Sequence, residues 1–307
     1  MMSISQILIN SLLLGSQLGL LALGLTMTYS ILGFANFAHG ELAVVGAYLT
    51  FFLCVSFKLN FFTSTIIAVV LSGAVAVLCD RLIFKKLREA PVLALIIASL
   101  GLSLLLRYII SAIWGPDPLS FSLGLAIPYR VMGAFITSTQ IVILGVALAT
   151  MVFFHILLHK TKMGKAMRAL ADDRALAQDR GIAVEKTIVW VWFICGCFAG
   201  LAGVLMAWET ALWPELGFNI IIPVFCAAIL GGVGNVYGAV IGAFLIGFVE
   251  NVGLALDWSK VIGLLGISTW DAPLFIPTEY KTAISFLILV FVLIFLPTGI
   301  MGSEKGH

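Results

Sequence analysis

The chain has 307 residues, 62% of them hydrophobic and 10% charged, with a net charge of +2. A soluble domain carries roughly 25% charged residues and 45–50% apolar ones, so a soluble enzyme or binding module is excluded and an integral membrane protein is indicated. The few basic residues sit mostly in loops, which argues against a nucleic-acid partner.

Apolar runs close to the roughly 20 residues needed to cross about 30 Å of hydrocarbon occur at 7–30, 41–57, 61–83, 91–114, 139–158, 188–210, 219–231, 236–256 and 280–297. Runs such as ALIIASLGLSLLL do not alternate apolar and polar residues, which sets aside a transmembrane β-barrel. The expected fold is an all-α polytopic membrane protein, a single domain over 1–307 with about 8–9 transmembrane helices. The first run has no Lys or Arg ahead of it and is too long for a signal-peptide core, so it reads as a retained helix. The segment 219–231 is too short to cross unaided and runs into Gly-Gly-Val-Gly-Asn, so a broken or re-entrant element is expected there.

Between the first two runs lies GFANFAHGEL, with Asn36, His39 and Glu41 in six residues and Gly33 and Gly40 nearby. One His and one carboxylate do not fill the three or four positions zinc demands, and no nucleophile or second carboxylate stands close enough for acid–base catalysis. Two readings remain. Asn36 and His39 can cap helix ends while Gly33 and Gly40 turn the chain, or the same interruption lines a translocation path. A second Gly-interrupted segment, Gly231, Gly232, Gly234 and Asn235, stands near the other end, and paired interruptions of this kind point loosely to a pathway. No Lys follows those glycines, so they are not a nucleotide loop. Asn36, His39, Gly40 and Glu41 with Gly231, Gly232, Gly234 and Asn235 are therefore the path candidates.

Lys and Arg concentrate in 81–89 and 159–187, which places both on the cytoplasmic side, two crossings apart. The loop 115–138, with Pro116, Pro118 and Pro128 and a lone Arg130, is then external and ordered. Nine spans put the N-terminus outside and the C-terminus inside. In 159–187 the stretch Lys165–Gln178 has no proline or β-branched residue, which predicts one helix, opened by Gly164 and stopped by Gly181. Met167, Leu170 and Ala171 form an apolar stripe for a partner, with Arg168, Asp172 and Asp173 turned elsewhere. A solvated connector helix is the alternative. The chain has no phosphate-binding G-x-x-x-x-G-K-[ST] loop, so any ATP-driven step needs another subunit.

Gly238 and Gly242 follow Gly234 at four-residue spacing, and Gly196 and Gly200 form a second face with Gly203. Small residues at that spacing let helices approach closely in lipid, so tight helix packing is their expected role. Cys54, Cys79, Cys195, Cys197 and Cys226 lie in apolar runs without a C-x-x-C pair and are expected to pack, with no disulfide or metal. Charges inside spans are costly, so Glu41, Arg107, Glu209 and Glu250 each call for a partner or water. Glu209 stands at an outer span end and Asp80 at an inner one, where solvation is expected. An Arg107–Glu250 pair would satisfy both, although nothing in the sequence brings them together.

Four stretches carry a family resemblance: LALGLTMTYSILGFANFAHGELAVVGAY, GKAMRALADDRALAQDRGI, AAILGGVGNVYGAVIGAFLIG and LPTGIMG. In that order they resemble the H-type permease subunit of branched-chain amino acid ABC importers. The resemblance implies transport of branched-chain or other hydrophobic amino acids across a bacterial or archaeal cytoplasmic membrane, with no cofactor of its own. It implies a second related permease, cytoplasmic ABC ATPases and an extracytoplasmic substrate-binding protein as partners. It also implies a coupling helix for the ATPase within Gly164, Met167, Arg168, Ala169, Leu170, Asp172, Asp173 and Gly181. Urea or short-amide importer permeases share the AHGE stretch, but an extra extracellular N-terminal region associated with the urea type is absent here. The Gln17-Leu18-Gly19 stretch and Arg107 depart from the family pattern and bear on substrate preference. A stand-alone secondary transporter or channel is disfavoured by the few intramembrane charges and the basic loop.

Overall fold

The structure, a computed structural model, describes residues 3–121, 127–131, 133–259, 274–296 and 298–302. Among these residues the order is α1 (Ile4–Leu32), α2 (Ala38–Ser56), α3 (Phe61–Leu82), a 3-10 turn (Phe84–Leu87), α4 (Val92–Trp114), β1 (Pro128–Val131), β2 (Ala134–Thr137), α5 (Ser138–Lys160), α6 (Lys162–Asp172), α7 (Arg174–Asp179), α8 (Val184–Glu209), α9 (Leu216–Gly231), α10 (Val236–Ala255), a 3-10 turn (Thr278–Tyr280) and α11 (Lys281–Phe295). The chain is thus an all-α polytopic membrane protein with seven helices long and apolar enough to cross a membrane among the described residues. The short α9, 16 residues, and α11, 15 residues, span only about 22–24 Å at 1.5 Å per residue.

Side-chain caps fix where several helices begin. Ser3 accepts from Gln6, Asn60 from Phe62, Thr161 from Gly164, and Asn235 from both Tyr237 and Gly238. Thr137 and Gln140 form a reciprocal capping box at the start of α5. Each satisfies N–H groups that a helix end leaves without an internal partner. The loop expected to be external and ordered contains a small hairpin, β1 antiparallel to β2 with Pro128 opposite Thr137. Leu119 and Leu212 exchange two backbone hydrogen bonds of 2.7 Å, tying this loop to the end of α8.

The layers follow from which helices are apolar all round. α1 is buried from Gly15 to Thr28, and α8 is almost as deeply enclosed, so both form the centre. α1 lies along α10, α8 and α9, while α3 and α2 pack on α8. α3, α4, α5 and α11 lie outside and expose large apolar side chains such as Leu93 and Leu287 on the surface of the bundle. The central helices touch through glycine. A methyl on Gly203 would run into the Ala43 carbonyl, and one on Gly46 into the Gly200 backbone. Gly196 meets Ala76 and Gly73 of α3, while Gly238 and Gly242 meet Gly231 and Ala227 of α9. In lipid, where apolar side chains gain nothing by leaving solvent, such close contact supplies the cohesion.

Candidate functional site

α1 ends at Gly33, whose φ of 73° is the left-handed conformation that glycine adopts without strain, and whose N–H returns to the Tyr29 carbonyl. Residues Gly33–Phe37 then cross to α2. Asn36, fully buried, accepts from the Ala38 N–H, and Ser99 of α4 accepts from the Phe37 N–H at 3.2 Å. His39 does not cap. Its Nε2 donates to the Leu21 carbonyl of α1 at 3.1 Å, because the residue already lies inside α2 and points across to the neighbouring helix. Gly40 does not turn the chain either; it too is helical, and a methyl there would strike the Gly217 carbonyl.

That close approach places the N-terminal ends of α2 and α9 side by side. Helix N-termini carry partial positive charge, and the carboxylate between them is Glu41, in the first turn of α2 and against Gly217. Arg107 reaches Glu41 Oε1 through Nη2 at 2.7 Å and Nε at 3.2 Å, and Ser103 donates to the same oxygen at 3.3 Å. The guanidinium also lies 4.7 Å over the Phe218 ring. Glu41 Oε2 and Asn36 Nδ2 are buried and make no hydrogen bond among the described residues. Arg107 is therefore the partner of Glu41 and not of Glu250. Glu250 is held by Ser285 and by Lys281 at 3.5 Å, because α10 packs on α11.

The second interruption, Gly231–Asn235, separates α9 from α10, with φ of 106° at Gly232 and 89° at Gly234. The two interruptions meet. Ser30 at the end of α1 donates to the Gly234 carbonyl at 2.9 Å, and one cavity of about 540 Å³ is lined by Ser30, Gly33, Gly234 and Asn235 together with His159 and Arg168.

The basic loop folds differently from its expected form. Thr161, not Gly164, caps its helix, and Asp173 interrupts it, accepting from Leu176 to start the separate α7. Gly164 is buried beneath the Leu157 and Leu158 carbonyls. Met167 and Leu170 are 1% and 2% exposed within this chain, so the expected partner stripe is already covered by the bundle. The reason is energetic: an amphipathic helix tethered to its own membrane domain buries its apolar side there first. The outward side carries Lys165, Arg168, Asp172, Asp173 and a half-exposed Leu176, and Gly181, φ 80°, closes the segment.

Two further expectations are corrected. Asp80 is not solvated but fully buried, gripped by Arg88 Nη2 at 2.9 and 2.7 Å, because the chain after α3 folds back and returns Arg88 to it. Glu209 is not simply solvated; it accepts from Gln17 at 2.6 Å and from Gln140 at 3.3 Å. Ser99, Ser103 and Phe218 join the site without having stood out in the sequence. A signal existed for the first two: Ser99, Ser103 and Arg107 recur every fourth residue and form one polar line on an otherwise apolar helix.

Comparison with known proteins agrees with this architecture. A family described as "Branched-chain amino acid transport system / permease component" matches residues 7–293. The chain is 30% identical to the high-affinity branched-chain amino acid transport system permease protein LivH of Salmonella typhimurium, over 98% of this chain and 96% of that one. It is 34% identical to a probable branched-chain amino acid transport permease protein LivH of Methanocaldococcus jannaschii, over 97% and 92%. It is 28% identical to the permease protein BraD of Pseudomonas aeruginosa, over 98% and 96%. With its multi-pass helical fold and near full-length matches, the chain belongs to the family of branched-chain amino acid transport permease components.

Proposed function

We propose that this chain is the membrane-spanning permease subunit of an ABC importer that carries branched-chain or other hydrophobic amino acids into the cytoplasm. The observation that carries the reading is family membership over nearly the whole chain, with relatives named for branched-chain amino acid transport. The importer sits in a bacterial or archaeal cytoplasmic membrane. Its other parts are a second related permease, cytoplasmic ATPases that supply the energy, and an extracytoplasmic binding protein that supplies most of the selectivity.

Within this reading α6 and α7 are the coupling segment, and the ATPase meets their outward side, Lys165, Arg168, Asp172, Asp173 and Leu176. The path runs beside the two interruptions, from Glu41 with Asn36 and His39 to the cavity at Gly33 and Gly234. Two buried polar atoms without a hydrogen-bond partner among the described residues, Asn36 Nδ2 and Glu41 Oε2, support it, because such groups are costly in hydrocarbon unless water or a polar solute meets them.

The test is reconstitution in vesicles with the candidate permease partner, ATPases and binding protein. ATP-dependent leucine uptake that needs every component is expected. Uptake by this chain alone would overturn the reading, and a binding protein that holds urea and ignores leucine would move the substrate to the amide class.

A further inference from the structure

We propose that the basic end of the α3–α8 face holds an anionic phospholipid of the inner leaflet. A cavity of about 550 Å³ opens there, lined by Asp80, Arg81, Lys85, Glu185, Lys186 and Trp190. Its two carboxylates are already engaged. Both oxygens of Asp80 are taken by Arg88, and Glu185 is met by Arg88 at 2.6 Å, Lys85 at 3.5 Å and Arg174 at 3.8 Å. Arg81 and Lys186 have no ion-pair partner among the described residues, so the cavity is left with uncompensated positive charge.

The surroundings identify the ligand as a lipid and not a soluble anion. Arg81 ends α3 and Lys186 begins α8, both long apolar helices, so the cations stand where hydrocarbon meets the aqueous phase. The positive-inside distribution assigns that level to the cytoplasmic leaflet, which carries the anionic headgroups. Trp190, half exposed on the cavity wall, supplies the amphipathic ring that settles at headgroup depth. Toward the membrane interior the same face of α3 exposes Leu78 and Val70, a surface for acyl chains. A phosphate bound to Arg81 and Lys186 would therefore have its tails lying on protein as well as on neighbouring lipid.

The full chain is purified in a nonionic detergent and titrated with phosphatidylglycerol or phosphatidylcholine carrying bromine on an acyl chain at carbons close to the headgroup. The quenching of Trp190 is taken as the difference between the wild type and Trp190→Phe. Phosphatidylglycerol is expected to quench at lower concentration than phosphatidylcholine, with a preference that falls in high salt. Each cation beside an anionic headgroup is worth a factor of roughly five, so Arg81→Gln with Lys186→Gln lowers the preference by about 25-fold. Equal quenching by both lipids, or an unchanged preference in the double variant, overturns the proposal. Displacement by inorganic phosphate at comparable concentration makes the ligand a soluble anion and overturns it too. Loss of the signal on assembly with the second permease assigns the face to protein and has the same consequence. Thermal unfolding of the double variant, expected to stay within a few degrees of wild type, separates lost binding from lost fold.

Discussion

Arg107 and Glu41 stand 2.7 Å apart on α4 and α2, with the carboxylate 1% exposed and the guanidinium side chain 13% exposed. Removing one member of such a pair strands the other charge in a medium that solvates it poorly, a cost of about 3–5 kcal/mol. Arg107→Gln is therefore expected to lower the unfolding temperature in detergent far more than Arg107→Gln combined with Glu41→Gln. A double-mutant cycle should give a coupling of about 2 kcal/mol. Additive single effects would show that the two charges act independently.

Asp80 and Arg88 make the corresponding contact at the basic end of the bundle. Asp80→Ala leaves Arg88 with the half-exposed Glu185 alone and should cost about 3 kcal/mol. Lys85 and Glu185 are each more than half exposed, so Lys85→Ala is expected to stay within about 0.5 kcal/mol of wild type. Chemical unfolding of the two variants side by side measures the contrast. Comparable losses would mean that burial is not what sets the strength of these pairs.

Glycine positions divide by what surrounds them. Gly203→Ala drives a methyl into the Ala43 carbonyl, where backbone cannot yield cheaply, and should cost about 3 kcal/mol or abolish insertion. Gly101→Ala and Gly145→Ala meet nothing within 4 Å and gain about 1 kcal/mol of helix propensity, so they are expected to be neutral or stabilising. The yield of monodisperse protein after detergent extraction reads the difference.

His39 fits against Gly24, where an added methyl would lie 2.7 Å from the imidazole Cε1. Gly24→Ala should destabilise by about 1–3 kcal/mol in the wild-type background. In a His39→Ala background the ring is gone and most of that cost disappears. Melting curves of the four proteins test this, and an undiminished cost in the second background would place the clash elsewhere.

Docking of an ATPase is expected to depend on the outward side of α6 and α7. Leu176→Glu should abolish co-purification with the ATPase without shifting the unfolding temperature, since Leu176 is 53% exposed. Met167→Glu should unfold the segment itself, because Met167 is 1% exposed beneath the bundle. Co-purification retained by Leu176→Glu would send the interface to another surface.

What the sequence determined by itself is what rests on local composition and spacing. Apolar runs of membrane length gave the helices, and Gly33 with Gly231–Asn235 marked both interruptions, since each depends on residues adjacent in the chain. Gly196, Gly200, Gly238 and Gly242 were legible as small-residue faces, although which helix each would meet was not. Only the tertiary structure decided the pairings: Arg107 with Glu41, Asp80 with Arg88, Glu250 with Lys281 and Ser285, and His39 with Leu21. It also decided which side of α6 faces inward, since periodicity defines a stripe but not what covers it. The physical reason is common to all of these. A charge in hydrocarbon demands a partner, but the demand does not name one, and the choice is made by which helices the glycine contacts allow to approach.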